Sequence, residues 1–474
     1  MADRIARFFG LQDESPRVKY LAKVAAVFMP LAAASFMMSS TFFAVFVAEI
    51  LVGPALYLSL GMALVGQLAL VGSIVQLVFD FPTGGVGDWI GQRWILLTAF
   101  LCFAASTILT AFATTYIDFL LVYVLSALGA AQQSGAIAAW FDNNYRAAAK
   151  DPDRSAYSVA QGRMGMLFQI AATVSLIPGA VLADLISRQG VFFLQGIICI
   201  IMGVSSLILF RDFPEVAENR PKRSLRVYYS LLKEGLKFSV SSRFVFFYII
   251  GSVLFFSAIN VWGSMILMIV YYSFLYEQKS VAIFRTVIFA FGILWTERTG
   301  VWTRKMSPRR WIAVFRYLQV CGPFFLIGIA AIFVFLPPVP GIPFPFTFFQ
   351  LPTILVCIAF IAGSLSGSAA NLLVQRLLLD MIPDRNRNSL YSLFPTLQLL
   401  LAVPQLLIFS LLLPAFPPPF GTVVVLVGLC GISITSCVSL AYALRKIPEG
   451  VLMGEHMPHP LTADVDSTPT ETEA

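Results

Sequence analysis

Charged residues are scarce in this 474-residue chain, where Asp, Glu, Lys and Arg together make up 12% of the sequence. An ordinary soluble protein has about 25%. Hydrophobic residues make up 58% of the chain. Because a soluble fold needs polar surface to cover its core, this composition excludes a soluble globular enzyme, and it excludes a disordered chain as well. The composition favours a protein that is embedded in lipid.

Histidine is nearly absent, since the chain has only two, His456 and His459, both in its polar last segment. No His-based triad, metal cluster or haem ligand set can be built from them within the apolar regions. The six cysteines lie singly in apolar runs without a C-x-x-C pair, and the phosphate-binding pattern G-x-x-x-x-G-K-[ST] does not occur. We therefore expect no enzymatic activity, no cofactor and no metal site.

Apolar runs of about 20 residues, the length that crosses a bilayer, recur along the whole chain. They predict an all-α integral membrane protein with twelve transmembrane helices. The charged N-terminus lacks the apolar core of a secretory signal. The predicted spans are residues 24–48, 61–80, 94–113, 118–141, 157–183, 191–210, 244–272, 279–297, 311–335, 351–379, 389–413 and 421–444.

The basic residues outside these spans lie almost entirely on alternate loops. The loops of the opposite side contain only Arg188 and Lys279. Because basic loops stay in the cytoplasm, this asymmetry predicts that both termini are cytoplasmic in a multi-pass protein of the plasma (cell inner) membrane. The net charge of +7 therefore indicates orientation, and no basic face of a soluble domain suggests nucleic acid as a partner.

One long polar interval divides the spans into six and six. We predict a cytoplasmic N-tail at 1–23, a six-helix bundle at 24–210, a basic linker at 211–243, a second six-helix bundle at 244–446 and a disordered tail at 447–474. Apolar residues on one helical face of the linker predict an interfacial helix there, with a solvated linker as the alternative.

The two halves contain a weak internal repeat. GGVGDWIGQRW follows the second span, and GVWTRKMSPRRW follows the eighth. Each segment has a Gly, a charge four residues later, and an Arg and a Trp where the next span opens. A duplicated six-span unit explains this correspondence.

These residues carry a resemblance to a known family. Gly84-x-x-x-Asp88-x-x-Gly91-x-Arg93 resembles the signature G-x-x-x-D-R-x-G-R-R of the major facilitator superfamily (MFS). The Pro-Thr-Gly that ends at Gly84 is similar to a prokaryotic branch of that family, as is the later SGA-x-x-AW motif. Trp89 and Gln92 replace two basic positions of the signature. The resemblance implies two pseudo-twofold-related six-helix bundles that rock about a central site and expose it alternately to each side.

The resemblance also implies a cytoplasmic gate at the turn between the second and third helices. We expect Asp88 to be its main residue and Arg93 to share its role, with plain solvated loop charges as the alternative. The gate and signature residues that we predict are Gly84, Asp88, Gly91, Arg93, Asp80, Asp142 and Arg163.

Polar residues inside the spans are candidates for the central cavity, because by the resemblance the first, fourth, seventh and tenth helices line it. The alternative is that they form hydrogen bonds between helices. The candidates are Ser39, Gln132, Gln133, Asn260, Trp262, Ser364, Ser368 and Arg285. The spans contain arginines but no carboxylate near their midpoints, which favours an amphipathic neutral or anionic solute.

The sequence thus predicts a secondary active transporter or facilitator that moves a small organic solute by alternating access. The alternative is an MFS-fold membrane receptor or scaffold that does not transport. We expect a monomer in contact with membrane lipid. The direction of transport, the substrate and the use of a coupling ion are left open.

Overall fold

The computed structural model of the protein describes residues 2–149, 155–218, 233, 236–237, 239–302, 306–339, 341–381 and 387–447. These residues form helices and no β-strand. Twelve of their helical segments are long and apolar enough to cross a membrane, as the sequence predicts.

The twelve spans are numbered here in chain order. In the N-terminal half they are Pro16–Met37 (span one), Tyr57–Gly61 with Met62–Ile90 (two), Gln92–Phe112 (three), Tyr116–Gln133 with Ala136–Ala148 (four), Ser155–Ile186 (five) and Arg188–Leu209 (six).

In the C-terminal half the spans are Arg243–Val261 with Trp262–Ile266 and Leu267–Leu275 (seven), Gln278–Trp302 (eight), Pro308–Leu318 with Pro323–Phe335 (nine), Leu351–Met381 (ten), Arg387–Leu412 (eleven) and Phe420–Lys446 (twelve). Short helices that the described residues form outside the spans are Ala2–Phe8, Phe43–Val52, Pro214–Glu218 and the 3-10 helices Phe346–Phe349 and Leu413–Ala415.

Span one differs from its predicted bounds of 24–48. The helix begins at Pro16, because the side chain of Ser15 caps it by accepting a hydrogen bond from the backbone N–H of Val18. It ends at Met37, a turn follows over residues 38–42, and a separate helix begins at Phe43. We call residues 38–42 the broken segment.

Span two runs through the predicted signature turn. The sequence predicts a loop after residue 80, whereas the helix continues to Ile90 and span three begins at Gln92. Gly91 alone separates them, with φ 98° and ψ 143°, a conformation that a side chain would strain. The predicted loop is wrong because Pro82 and the signature glycines are tolerated in a membrane helix.

The N-terminal tail packs against the bundle. Phe9 and Leu11 are fully buried. Arg17 at the start of span one forms an ion pair of 2.7 Å with Glu215, which follows span six. This hydrogen bond from Arg17 lowers the pKa of the Glu215 carboxyl. The predicted linker helix lies largely outside the described residues, and the predicted disordered tail lies outside them except for residue 447.

The packing of the spans repeats between the halves. In the first half, span one packs against span five, span two against span four, and span three against span six. In the second half, the equivalent pairs are spans seven and eleven, spans eight and ten, and spans nine and twelve. Contacts between the halves join span two to eleven and span five to eight. When six is added to the span numbers of the first half and subtracted from those of the second, each pair becomes its equivalent pair. The molecule therefore consists of two six-helix bundles related by a pseudo-twofold axis.

The buried apolar side chains differ between the two membrane sides. We call the side where span one begins the tail side and the other the far side. On the far side one cluster joins both halves, and it includes Phe42, Phe192, Trp262 and Phe325. On the tail side each half has its own clusters, around Phe28, Phe100 and Trp140 in the first half and around Tyr248 and Leu444 in the second. Among the described residues, the halves are therefore joined on the far side.

Candidate functional site

A cavity of about 350 Å³ lies where the two halves meet. The N-terminal half forms most of its wall, through the end of span one, the broken segment and spans two, three, four and six. The C-terminal half contributes Gly263, Ser264 and Met268, all from span seven. The cavity size falls within the range of small-molecule sites.

The wall of the cavity combines aromatic rings with uncharged polar groups. Its aromatic residues are Phe36, Phe43, Phe103, Tyr123 and Phe192. Its polar residues are Ser35, Ser39, Ser40, Ser106, Thr107, Thr110, Ser126, Gln195 and Ser264. No Asp, Glu, Lys or Arg is among the lining residues.

Span three carries three hydroxyls of the wall, and each is held by a backbone carbonyl. Ser106 donates to the carbonyl of Val122 on span four at 2.9 Å, and Thr110 donates to the carbonyl of Ser106 at 2.8 Å. Thr107 donates to the carbonyl of Phe103 at 2.9 Å. These bonds fix the oxygens of the hydroxyls, which keep free lone pairs.

Gln195 on span six crosses to span one. Its side-chain NH₂ donates to the backbone carbonyl of Ser35. Its Oε1 atom is buried and has no hydrogen-bond partner among the described residues. A buried acceptor without a partner costs free energy, so this oxygen is suited to a ligand that donates to it.

The broken segment connects the cavity to the C-terminal half. Its residues Ser39 and Ser40 line the cavity. Arg285 of span eight donates from Nη1 to the carbonyl of Ser40 at 2.7 Å and to its hydroxyl at 3.2 Å. Tyr272 of span seven donates to the carbonyl of Thr41 at 3.1 Å. Two side chains of one half thus cap carbonyls that the break in the other half leaves free.

Of the predicted cavity residues, Ser39 lines the cavity, and Asn260 and Arg285 contact residues that line it. The Oδ1 atom of Asn260 accepts a 3.5 Å hydrogen bond from Ser264. Trp262 lies in an aromatic cluster with Phe325 and Phe360, with ring centroids 5.4 and 6.1 Å away. The remaining candidates, Gln132, Gln133, Ser364 and Ser368, are half-buried residues outside the lining.

A polar network joins the two halves on the far side. Arg188 forms an ion pair of 2.5 Å with Glu49 and donates from Nε to Gln278 at 3.0 Å. Lys279 forms an ion pair of 2.6 Å with Asp184, and Gln278 also donates to Asp184. Glu49, Asp184 and Arg188 belong to the first half and the other two to the second. We call these five residues the far-side network.

The signature residues lie at the tail-side end of span two. Gly84 and Asp88 are in the helix, and the side chain of Asp88 lies outside the described part of the structure. Asp80 is half-buried, is a hydrogen-bonding neighbour of Ser134, and has a buried Oδ1 without a partner in the described residues. The guanidinium of Arg93 lies 5.6 Å from the ring of Trp94.

The two other predicted gate residues, Asp142 and Arg163, form contacts on the tail side of the first half. Asp142 forms an ion pair of 2.8 Å with Arg146, one turn along the same helix. Arg163 on span five donates to the carbonyl of Phe8 and lies over its ring at 5.4 Å. Arg163 therefore holds the N-terminal tail against span five.

Arg316 of span nine is the most unusual charge of the described structure. It is 1% exposed, and none of its three guanidinium nitrogens has a hydrogen-bond partner there. The guanidinium lies 4.4 Å from the ring centroid of Phe255 and 5.3 Å from that of Phe256. Two aromatic faces thus replace hydrogen bonds around this charge.

Reasoning from the sequence missed the polar residues of spans three and six. The resemblance pointed to spans one, four, seven and ten, whereas Ser106, Thr107, Thr110 and Gln195 supply much of the wall. The spacing of Ser106 and Thr110, one helical turn apart in an otherwise apolar span, is the signal that could have found them.

Two pseudo-twofold-related bundles that enclose a polar cavity within the membrane define a transporter of the alternating-access type. A sequence model of the Major Facilitator Superfamily matches residues 29–403. The chain belongs to this superfamily and is a multi-pass membrane transporter. A search of the curated proteins finds no match to the sequence.

Solved structures of transporters have the same fold. The nucleoside transporter NupG is 13% identical and superposes with a TM-score of 0.66, over 90% of this chain and 100% of that one. A POT family peptide transporter is 9% identical, with a TM-score of 0.65 over 92% and 98% of the two chains. A D-xylose–proton symporter is 13% identical, with a TM-score of 0.61 over 92% and 98%.

Proposed function

We propose that the protein is a secondary transporter whose cavity binds a small organic solute and faces the two sides of the membrane in turn. The far side is the external side, and both termini lie in the cytoplasm of a cell whose plasma or inner membrane holds the protein. The strong bias of basic residues toward the tail side supports this orientation. The protein acts as a monomer, since its two halves supply the whole cavity wall.

The observation that carries this proposal is the difference between the two sides of the molecule. On the far side, the apolar cluster, the bonds to the broken segment and the Arg188–Gln278 and Lys279–Asp184 contacts of the far-side network all join the halves. On the tail side, the described residues have separate apolar clusters in each half. Such a molecule is closed on the far side and can open by rocking about the cavity.

The two gates of this cycle are made of different residues. The far-side network is the external gate. Asp88 and Arg93, at the tail-side end of span two and the start of span three, form the cytoplasmic gate, which closes when the external one opens. An acid near helix ends and basic side chains can stabilise that second state without contacting the solute.

The test combines solute flux with labelling from each side. A thermal-shift screen first identifies a solute that stabilises the purified protein. Gly263→Cys, in a protein whose native cysteines including the lining Cys199 are replaced by alanine, then serves as the reporter, because Gly263 lines the cavity and an added Cβ meets no atom within 4 Å. We expect this cysteine in proteoliposomes to react with a membrane-impermeant thiol reagent mainly from the tail side, and solute to change the ratio between the sides.

Asp88→Asn and Arg93→Ala address the cytoplasmic gate. Both should lower flux by at least tenfold and shift the labelling further to the tail side. Asp13→Asn, an exposed acid before span one, is the matched control and should change neither. Unchanged flux and labelling in both gate variants would contradict the gate assignment, and a cavity that is labelled from one side under all conditions would contradict alternating access.

A further inference from the structure

The polar groups of the cavity wall are unequal in what they can offer a ligand. A serine or threonine hydroxyl has one hydrogen to donate and two lone pairs to accept with. Five lining hydroxyls already donate their hydrogen to a backbone carbonyl at 2.8–2.9 Å, namely those of Ser35, Ser40, Ser106, Thr107 and Thr110. What these groups still offer is acceptor capacity.

Two further lining groups are committed in the same way. Ser264 donates to Asn260, and the NH₂ of Gln195 donates to the carbonyl of Ser35. The Oε1 of Gln195 is then left as an acceptor, and it belongs to a side chain that is 2% exposed and has no partner for this atom in the described structure. The hydroxyls of Ser39, Ser126 and Tyr123 also line the cavity and can still donate. Because every lining hydroxyl and the Oε1 of Gln195 can accept, the wall offers more acceptors than donors.

None of the described residues that line the cavity is ionised. A charged ligand would lose its hydration there without meeting an opposite charge, which is costly in a low-dielectric site. Arg285 contacts the wall from outside, since it is not a lining residue and its Nη1 donates to the carbonyl and hydroxyl of Ser40. The described residues therefore give an anion no free partner in the lining and give a cation no carboxylate.

The aromatic residues set the shape of the ligand. Phe36, Phe43, Phe103, Tyr123 and Phe192 surround the same space as the acceptors. Rings of this kind pack against flat apolar faces. The cavity volume of about 350 Å³ lies within the range of sites that bind small organic ligands.

We propose that this cavity selects an uncharged, ring-containing solute that presents several O–H or N–H donors at its edge and an apolar face to the phenyl rings. This inference rests on the proposed function, and it narrows the predicted class of neutral or anionic amphipathic solutes to neutral donors. Gln195 is the residue of the wall that distinguishes a donor from an acceptor most directly.

Matched triplets of compounds test the proposal. Each triplet contains an uncharged ring solute with donors, the same solute with its donors methylated, and a charged relative. One triplet is myo-inositol, its hexamethyl ether and glucuronate, and a second is uridine, its O- and N-methylated form and uridine monophosphate. Glucose, permethylated glucose and glucosamine form a third. Binding is measured as protection of Gly263→Cys from thiol labelling in the full-length protein.

We expect protection from the uncharged donor of at least one triplet, at a concentration at least tenfold lower than for its methylated or charged relatives. Gln195→Met should weaken this protection by at least tenfold, while Gln189→Met, an exposed glutamine on the same helix, should not. Ser106→Ala is a second variant that removes one acceptor and leaves the Gln195 bond intact. Equal or stronger protection by methylated or charged members, or none by any uncharged donor, would overturn the proposal.

Failure of this proposal and failure of transport give different results. A donor that protects the reporter but is not moved across proteoliposomes contradicts the transport cycle and leaves the selectivity intact. A charged or methylated solute that protects the reporter and is transported contradicts the selectivity and leaves the transport cycle intact.

Discussion

Single residues in this molecule have roles that their type alone does not reveal. The sequence places Arg163, Arg285 and Arg316 alike within spans. In the structure Arg163 binds the N-terminal tail, Arg285 bonds across the junction between the halves, and Arg316 lies between two phenyl rings. An arginine in a span is therefore informative only once its partners are known, and those partners lie far away in the sequence.

Arg316 allows a direct prediction at this scale. Among the described residues this fully buried guanidinium has no hydrogen-bond partner, and two ring contacts replace its hydration there. Replacing it with a long apolar side chain should therefore stabilise the fold by at least about 1 kcal/mol. We expect Arg316→Met to unfold at a higher temperature than the parent protein and Arg316→Lys at a lower one. A Met variant that unfolds well below the parent would show that the charge has a partner in the membrane-embedded protein.

Gly179 is a second case. An added Cβ there would lie 2.0 Å from the carbonyl oxygen of Met38, because span five contacts the broken segment at this point. Gly179→Ala should lower the stability of the protein by about 1–3 kcal/mol, as overpacked sites do. The unfolding temperature measures this effect. Gly165→Ala on the same helix, where an added Cβ meets nothing within 4 Å, is the control and should not lower that temperature, because alanine favours a helix over glycine.

At the scale of elements, the number and order of the spans could be predicted but their breaks could not. Each apolar run long enough to cross the bilayer predicts one span, and the structure has twelve such helices. The broken segment has no Gly or Pro of its own. It forms because Arg285, Tyr272 and Gly179 accommodate its free carbonyls. A break that depends on distant helices leaves no local signal.

The capped carbonyls of the broken segment give a prediction for span one. Arg285→Met removes two hydrogen bonds from a charged donor, each worth about 1.5–3 kcal/mol, and Tyr272→Phe removes one neutral bond, worth about 0.5–1.5 kcal/mol. We expect the first variant to increase labelling of Gly263→Cys from the far side by about tenfold or more and the second to increase it less. The reverse order, or no change in either variant, would show that these bonds do not hold the far side closed.

At the scale of the whole molecule, the sequence predicts the repeat, the bundles and the side on which charges collect. The cavity wall is less predictable, because a wall is formed by faces of several helices that meet only after packing. The resemblance indicated which spans to examine and therefore favoured Gln132 and Ser364, while Ser106 and Gln195 lie on spans that it did not indicate. Helical spacing finds polar faces, but it does not show which of them converge.

Closure of the far side depends on contacts between the two halves, and a variant that weakens one of these contacts tests it. Asp184→Asn removes the ionised partner of Lys279 and weakens the acceptor for Gln278. Because such partly exposed pairs are worth about 0–1 kcal/mol, we expect a two- to fivefold increase in far-side labelling of Gly263→Cys.

Asp118→Asn is the matched control for this prediction. Asp118 is a far-side acid that accepts hydrogen bonds from the backbone of Thr114 and Thr115 and does not join the halves. It should affect thermal stability and leave the labelling unchanged. Equal labelling in both variants would show that Asp184 is not part of the external gate.

The unequal shares of the two halves in the cavity wall have a consequence for kinetics. Span seven is the only described part of the C-terminal half that reaches the wall. In a carrier built this way, substitutions on the inner faces of spans three, four and six would mainly alter the apparent KM. Changes in the second half would mainly alter the turnover rate. Affinity and speed could then be adjusted separately by natural variation or by laboratory selection.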